Sequence, residues 1–257
     1  MREDIMRMSK IYKPMIALIV AILLWEATTK LFHVETWVLP APSVIMKEMI
    51  QVFPAFVPHM LATIKLVLIG FTTAIILGIV AAMILHIFPT LREIFMPFLV
   101  ISQNIPIIVL APLLMIWFGL GDFPKVLIVA ITAFFPIVIA TLDGLNQTDR
   151  ELVHYMRMIG ATKKQLFLKL QLPYAIPTIF SGIKIAATYS VMTAVVSEWL
   201  GAQKGIGVFM TLSASSYRTP RVFVAIVMTI ALSLAFFGLF LALEKWFTKW
   251  QRNEGEQ

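Results

Sequence analysis

Thr148-Asp-Arg-Glu-Leu-Val-His-Tyr-Met-Arg-Met-Ile-Gly-Ala-Thr-Lys-Lys-Gln-Leu-Phe-Leu-Lys-Leu-Gln-Leu-Pro173-Tyr-Ala-Ile-Pro177 is a polar, basic interruption in an otherwise oily chain. The runs on either side are long and apolar, so lipid is the solvent for most of the molecule. A chain that keeps one long segment out of that solvent, with regular local signals inside it, is presenting the segment to something.

The composition agrees. The chain is 60% hydrophobic and 14% charged, against about 45–50% and about 25% in ordinary soluble domains. Its 257 residues suit a single transmembrane domain, residues 1–257, at about 20 apolar residues per span. There is no cysteine, which excludes disulfides and thiolate metal sites. The net charge of +7 is spread around the ends of apolar runs. That pattern points to membrane topology rather than nucleic acid.

Six apolar segments stand out, at roughly 14–33, 60–85, 92–118, 124–145, 177–200 and 222–246. The fold class is therefore an all-α integral membrane protein with six transmembrane helices. The first run follows Arg2, Arg7, Lys10 and Lys13, and Trp25-Glu26 sits where a signal peptide would need small residues. An uncleaved first span is expected. With the N-terminus in the cytoplasm, most of the 21 lysines and arginines fall on that side: those four, then Arg92, then Arg150, Arg157, Lys163, Lys164 and Lys169, then Lys245, Lys249 and Arg252. Both termini are then cytoplasmic, with a frayed tail from Arg252 to Gln257.

Local punctuation refines this plan. Leu39-Pro-Ala-Pro-Ser43 reads as an extended piece, with Ser43 as N-cap of a short amphipathic helix through Val52. Pro106, Pro112, Pro124 and Pro136 crowd the third and fourth spans. They suit either a bundle around a cavity or ordinary bent packing. Within the polar segment, Thr148 with Glu151 reads as a capping box opening a helix from Asp149 to about Ile159. Leu152, Met156 and Ile159 would form one side of it, and Arg150, His154 and Arg157 would face elsewhere. Gly160 suits a left-handed stop. Thr162 with Gln165 repeats the box, and a second short helix should end by Pro173. Spacing alone leaves Gly160 open as a mere helix stop or as a corner that another surface approaches closely.

Gly160-Ala161, Gln165-Leu-Phe167, Leu172-Pro173 and Pro177 resemble the cytoplasmic signature loop of permease subunits of ATP-binding-cassette importers. The consensus there reads Glu-Ala-Ala, three residues, Gly, then a Leu-Pro pair. This chain has His154-Tyr155-Met156 in place of Glu-Ala-Ala. The resemblance extends to Leu39–Ser43, to Ile105–Gly121 and to Ser197–Gly207, which are similar to stretches of the nitrate, taurine, sulfonate and thiamine-precursor branch. It implies a type I importer permease with a coupling-helix pair between spans four and five, over residues 148–176. It further implies two ATPase subunits docked through Glu151, His154, Tyr155, Arg157, Met158, Gly160, Ala161 and Thr162. A second permease copy, as a homodimer, and an extracytoplasmic solute-binding protein complete the assembly, in a bacterial plasma membrane.

Chemistry of its own is absent. The sequence has no Gly-x-x-x-x-Gly-Lys-Ser/Thr loop, Gly-x-Ser-x-Gly or His-Glu-x-x-His, so energy must come from a partner or an ion gradient; the resemblance implies ATP and magnesium bound by the partner ATPase. His33, His59, His86 and His154 are not at metal-ligand spacing. Ionisable groups in or near spans must be paired, buried or snorkelling. Lys65, Asp143 and Lys184 lie close enough to span ends to snorkel, and Glu26 is deeper. Glu26 is open as a structural pair or a transport carboxylate, and Glu198, next to Ser197, as a structural group or a pathway gate. Ser102, Gln103 and Asn104 break the third span with polarity and suit a cavity lining or helix-to-helix hydrogen bonds.

Two functions fit: an importer permease moving a small polar organic solute, foremost a thiamine-precursor pyrimidine and otherwise taurine, an alkanesulfonate or nitrate; or an ion-gradient-driven secondary carrier, for which Glu26 is the one deep carboxylate and no inverted repeat is visible.

Overall fold

The computed structural model describes residues 2–248, with side chains from Tyr12 onward. The side chains of Arg2, Arg7 and Lys10, the residues Lys249 and Arg252 used for orientation, and the tail to Gln257 lie outside the described residues. What is described is helical, with no strand: α1 (Arg2–Leu31), α2 (Pro42–Ile87), α3 (Pro89–Gln103), α4 (Ile107–Phe118), α5 (Asp122–Asn146), α6 (Arg150–Met158), α7 (Lys163–Leu166), a π turn (Phe167–Gln171), α8 (Leu172–Glu198), α9 (Ile206–Ser215) and α10 (Thr219–Phe247). Five of these stretches are long and apolar enough to cross a membrane, and the α3–α4 pair makes a sixth if it counts as one span.

The chain divides into two compact units. The first takes the chain up to Pro58 together with Phe209–Met228. A carboxylate organises it. Glu26 in α1 accepts the Ser43 backbone N–H at 2.9 Å and the Ser43 hydroxyl at 2.7 Å, and Lys30 pairs with it at 2.7 Å. Ser43 is therefore not the expected cap. The helix starts at Pro42, and the acid one helix away accepts its free donor. Arg221 donates to Glu48 at 2.6 Å, and Phe56 meets Phe209 edge to face at 5.0 Å.

The short amphipathic helix expected at 43–52 is not separate: α2 runs unbroken for 46 residues through Pro54 and Pro58. The carbonyls these prolines leave without helical partners belong to Ile50 and Pro54, both exposed, so the lost bonds lie on an open face.

The second unit takes His59–Val208 and the chain from Thr229. Its centre is α5 against α8, held close by small residues. A Cβ on Gly182 would meet the Pro136 carbonyl oxygen at 2.7 Å, and one on Gly144 would meet Ala175 and Thr178 at 3.0 Å. Close backbone approach replaces the hydrophobic effect as a packing force in lipid. Phe71, Phe236 and Phe240 stack edgewise over Ala133, Ile137 and Ile183. Lys184, expected to snorkel, instead pairs with Glu244 of α10 at 2.6 Å.

The third segment, expected as one span at 92–118, is bent by 102° between α3 and α4. Pro106 explains the break. It has no N–H for the ladder, and it pushes Ile105 out of helical geometry.

Candidate functional site

Two places carry functional geometry, the 148–176 segment and a cavity beside α3 and α4. In the segment, Asp149 rather than Thr148 caps α6, taking the Glu151 N–H at 2.7 Å. A carboxylate is the stronger acceptor at a helix N-terminus. The Thr148 hydroxyl is buried and turns back to the Leu145 carbonyl at 3.2 Å. The half-buried side of α6 is Val153 and Met156. Leu152 and Ile159, expected there, are exposed, as are Tyr155 and Met158.

The α6 helix ends in a Schellman turn: Ala161 N–H reaches the Met156 carbonyl at 2.9 Å and Gly160 N–H the Arg157 carbonyl at 3.0 Å. Gly160 adopts φ +83°, with nothing near the position of a Cβ. Its backbone conformation therefore favours glycine while the space outside it stays open. The Thr162–Gln165 capping box is present, with both reciprocal bonds.

The second short helix does not stop at Pro173. The π turn shifts the bonding register so that Leu172 N–H reaches the Phe167 carbonyl, five residues back. Pro173, which has no N–H, then enters at the first turn of α8, where none is needed. Helix is continuous from Lys163 to Glu198, 36 residues, or about 54 Å at about 1.5 Å per residue.

The cavity measures 540 Å³ and lies between the α3–α4 bend, α5 and α8. Ser102, Gln103, Thr132 and Thr193 supply its polar groups, Phe135, Tyr189 and Trp199 its aromatic walls, and no charged residue lines it. Of the five expected pathway residues, it takes Ser102 and Gln103 only. The Asn104 amide folds back to the Val100 carbonyl at 2.7 Å. Ser197 is fully buried and bonds the Ala194 carbonyl at 2.8 Å. Among the lining residues the sequence argument missed, Tyr189, Met192, Thr193 and Val196 fall on one face of α8 and Trp199 sits at its C-cap, while the rest come from α4, α5 and the bend. Helical spacing of three and four would have grouped them, although the same pattern describes any packing face.

Glu198 is elsewhere, 1% exposed. It accepts the Thr63 hydroxyl at 2.7 Å and the Gly207 N–H at 2.8 Å, and Thr63 in turn accepts the Ile206 N–H at 2.9 Å. The carboxylate therefore caps α9, a helix the sequence did not announce. Gly207 is required there because a Cβ would overlap the Val195 carbonyl oxygen. Glu198 also lines a second cavity of 660 Å³, together with Lys65, Lys125, Lys204, Asp122 and Gln203. Both oxygens of Glu26 are occupied by Ser43, and one also by Lys30. The deep carboxylate on which the gradient-driven alternative relied is thus engaged in holding α1 to α2. Among the described residues, no group of three or more His, Asp or Glu side chains could hold a metal ion.

Residues 74–249 match the family described as the inner membrane component of binding-protein-dependent transport systems. The formylaminopyrimidine transport permease ThiX of Halalkalibacterium halodurans is 32% identical over 94% of this chain and 97% of its own length. The riboflavin transport permease RibX of Chloroflexus aurantiacus is 29% identical over 93% of this chain and 90% of its own. In fold, a crystal structure of an amino acid ABC transporter superposes with a TM-score of 0.65 at 17% identity, over 77% of this chain and 96% of that one. The chain belongs to this transport family: it is the membrane permease of an ATP-binding-cassette importer, not an enzyme, with ATP hydrolysis assigned to a separate subunit.

Proposed function

We propose that this permease, working as one transmembrane domain over residues 1–257, imports a small neutral heteroaromatic solute of the thiamine-precursor pyrimidine kind. The observation that carries the substrate is the uncharged cavity with three aromatic walls. Aromatic faces stack on a heteroaromatic ring at about 1–3 kcal/mol per ring, and hydroxyl and amide groups pair with its edge. An anionic solute would find no counter-charge there. ThiX, which transports a formylaminopyrimidine by its name, supports the same class.

The drive comes from two ATPase subunits docked on Glu151, His154, Tyr155, Arg157, Met158, Gly160, Ala161 and Thr162. Exposed Tyr155, Met158 and Ile159 are the apolar anchors, and the open space around Gly160 admits the partner surface. ATP-driven closure pushes the corner, and the continuous helix from Lys163 carries the push to Tyr189 and Trp199 in the cavity wall. A second copy of this permease, an extracytoplasmic binding protein and the surrounding lipid complete the complex. The docking segment and both termini face the cytoplasm.

The decisive test is Gly160→Trp in proteoliposomes holding the whole complex. Uptake should fall at least about tenfold while ATP hydrolysis continues, whereas Gly160→Asn, which tolerates the left-handed conformation, should retain uptake. Normal transport by Gly160→Trp would overturn the docking assignment. For the substrate, Tyr189→Ala should cut pyrimidine uptake about tenfold, as loss of one stacking face predicts. The sulfonate alternative rests on the lysines of the second cavity. It gains the field if Lys65→Gln abolishes uptake and Tyr189→Ala does not.

A further inference from the structure

Where α2 and α5 end, the second unit holds a third cavity, of 310 Å³, whose wall shares only His154 and Arg157 with the proposed docking set. His86 enters from the last turn of α2, Asn146 from the end of α5, Arg150, His154 and Arg157 from α6, and Gln171 from the π turn. The three α6 residues are spaced by four and three positions, so they form one stripe along the helix. Each of these six side chains can donate hydrogen bonds, and no carboxylate lines the wall.

Elsewhere in this unit the cations Lys184 and Lys125 pair with Glu244 and Asp122. Around this cavity His86 is half-buried, Arg150, His154 and Arg157 are exposed, and all four lack an acidic neighbour in the wall. Among the described residues, Arg150, Arg157, His86 and His154 form no ion pair. The nearest acids in sequence are committed or turned away: Asp149 caps α6 through the Glu151 N–H, and neither Asp149 nor Glu151 lines the cavity.

We propose that this cavity binds a phosphate group, supplied either by the headgroup of an anionic lipid or by a free phosphomonoester. Two guanidinium forks with amide and imidazole donors from three further elements suit a tetrahedral anion with several oxygens better than a planar carboxylate with two. The location suits both sources. The ends of two spans lie at headgroup depth, where basic side chains meet lipid phosphates, and the same wall opens to water. A bound phosphate ties α6 to the ends of α2 and α5 and to the π turn, and so sets the rest position of the Gly160 corner.

The test uses the full-length permease alone, without ATPase, so that the docking assignment plays no part. One arm titrates inorganic phosphate by calorimetry in neutral detergent. The other measures, by native mass spectrometry, lipid retained from nanodiscs of equal parts phosphatidylcholine and phosphatidylglycerol. Binding is expected in at least one arm. It should weaken about tenfold or more in Arg150→Gln/Arg157→Gln, since each charge-assisted bond is worth about 1.5–3 kcal/mol, and also in His86→Gln, at the end of α2. Lys163→Gln/Lys164→Gln, outside the cavity, should bind as the native chain does. Phosphatidylglycerol alone retained would identify a lipid headgroup; inorganic phosphate alone bound would identify a free anion. The proposal is overturned if neither arm binds or if the arginine and His86 variants bind as tightly as the native chain. It also falls if a crosslink from position 86 reaches an acidic ATPase residue in the assembled transporter, which would make the occupant a protein carboxylate.

Discussion

Glu26 and Glu198 are the two carboxylates that the sequence leaves without an assignment, and the structure uses them in the same way in different surroundings. Each lies at or near the end of one helix and caps the start of another, Glu26 for α2 through Ser43 and Glu198 for α9 through Gly207. Glu26 keeps 21% of its side chain exposed and has Lys30 at 2.7 Å. Glu198 is 1% exposed and, among the described residues, forms no ion pair. An acid near a membrane interface can thus be held by hydrogen bonds together with a contacting cation, or by hydrogen bonds without one. The second arrangement is the less forgiving, because the donors it serves are buried.

Removing each carboxylate tests that difference, and Glu198→Ala should have the larger effect. It removes the acceptor of the Gly207 N–H and leaves the Thr63 hydroxyl only its longer bond of 3.3 Å to the His59 carbonyl, at about 2 kcal/mol or more. Glu198→Gln should recover part of the loss, since its amide oxygen still accepts one of the two bonds. Unfolding by sodium dodecyl sulfate titration in mild detergent measures both. If Glu198→Ala proves no less stable than Glu26→Ala, burial does not separate the two sites.

What the sequence made legible follows the range of the interaction. The Thr162–Gln165 box lies within three residues and was readable outright. The Asn104–Pro106 interruption was visible as polarity and proline, but its 102° bend depends on packing against α5 and α8. The cap on α2 comes from a residue 17 positions away, beyond any local pattern, so Ser43 looked like the cap itself. Pro173 looked like a stop because a π turn leaves no compositional mark. Ser102 and Gln103 stood out in the cavity wall as polar residues in an apolar run. Tyr189 and Trp199 did not, since aromatic residues at helical spacing face lipid or neighbours just as often.

Glu26→Ala should cost less than Glu198→Ala, about 1–2 kcal/mol, the usual effect of losing an N-cap. The Ser43 donors it frees belong to an exposed residue and can turn to water. Because Lys30 shares the carboxylate, Lys30→Gln in the Glu26→Ala background should add almost nothing. An additional loss there would mean that Lys30 works through another partner.

The smallest effect, at Ser43, separates the two bonds that Glu26 accepts. Ser43→Ala removes the hydroxyl bond of 2.7 Å and leaves the backbone bond of 2.9 Å in place, so the loss should be near about 0.5–1 kcal/mol. A double-mutant cycle with Glu26→Ala then isolates the side-chain contact, because residues sharing one hydrogen-bonded group are non-additive by about 0.5 kcal/mol or more. A coupling near zero would mean that the backbone N–H alone holds α2 to α1. The two carboxylates would then differ in kind as well as in burial, since Glu198 depends on a side-chain hydroxyl and a backbone donor together.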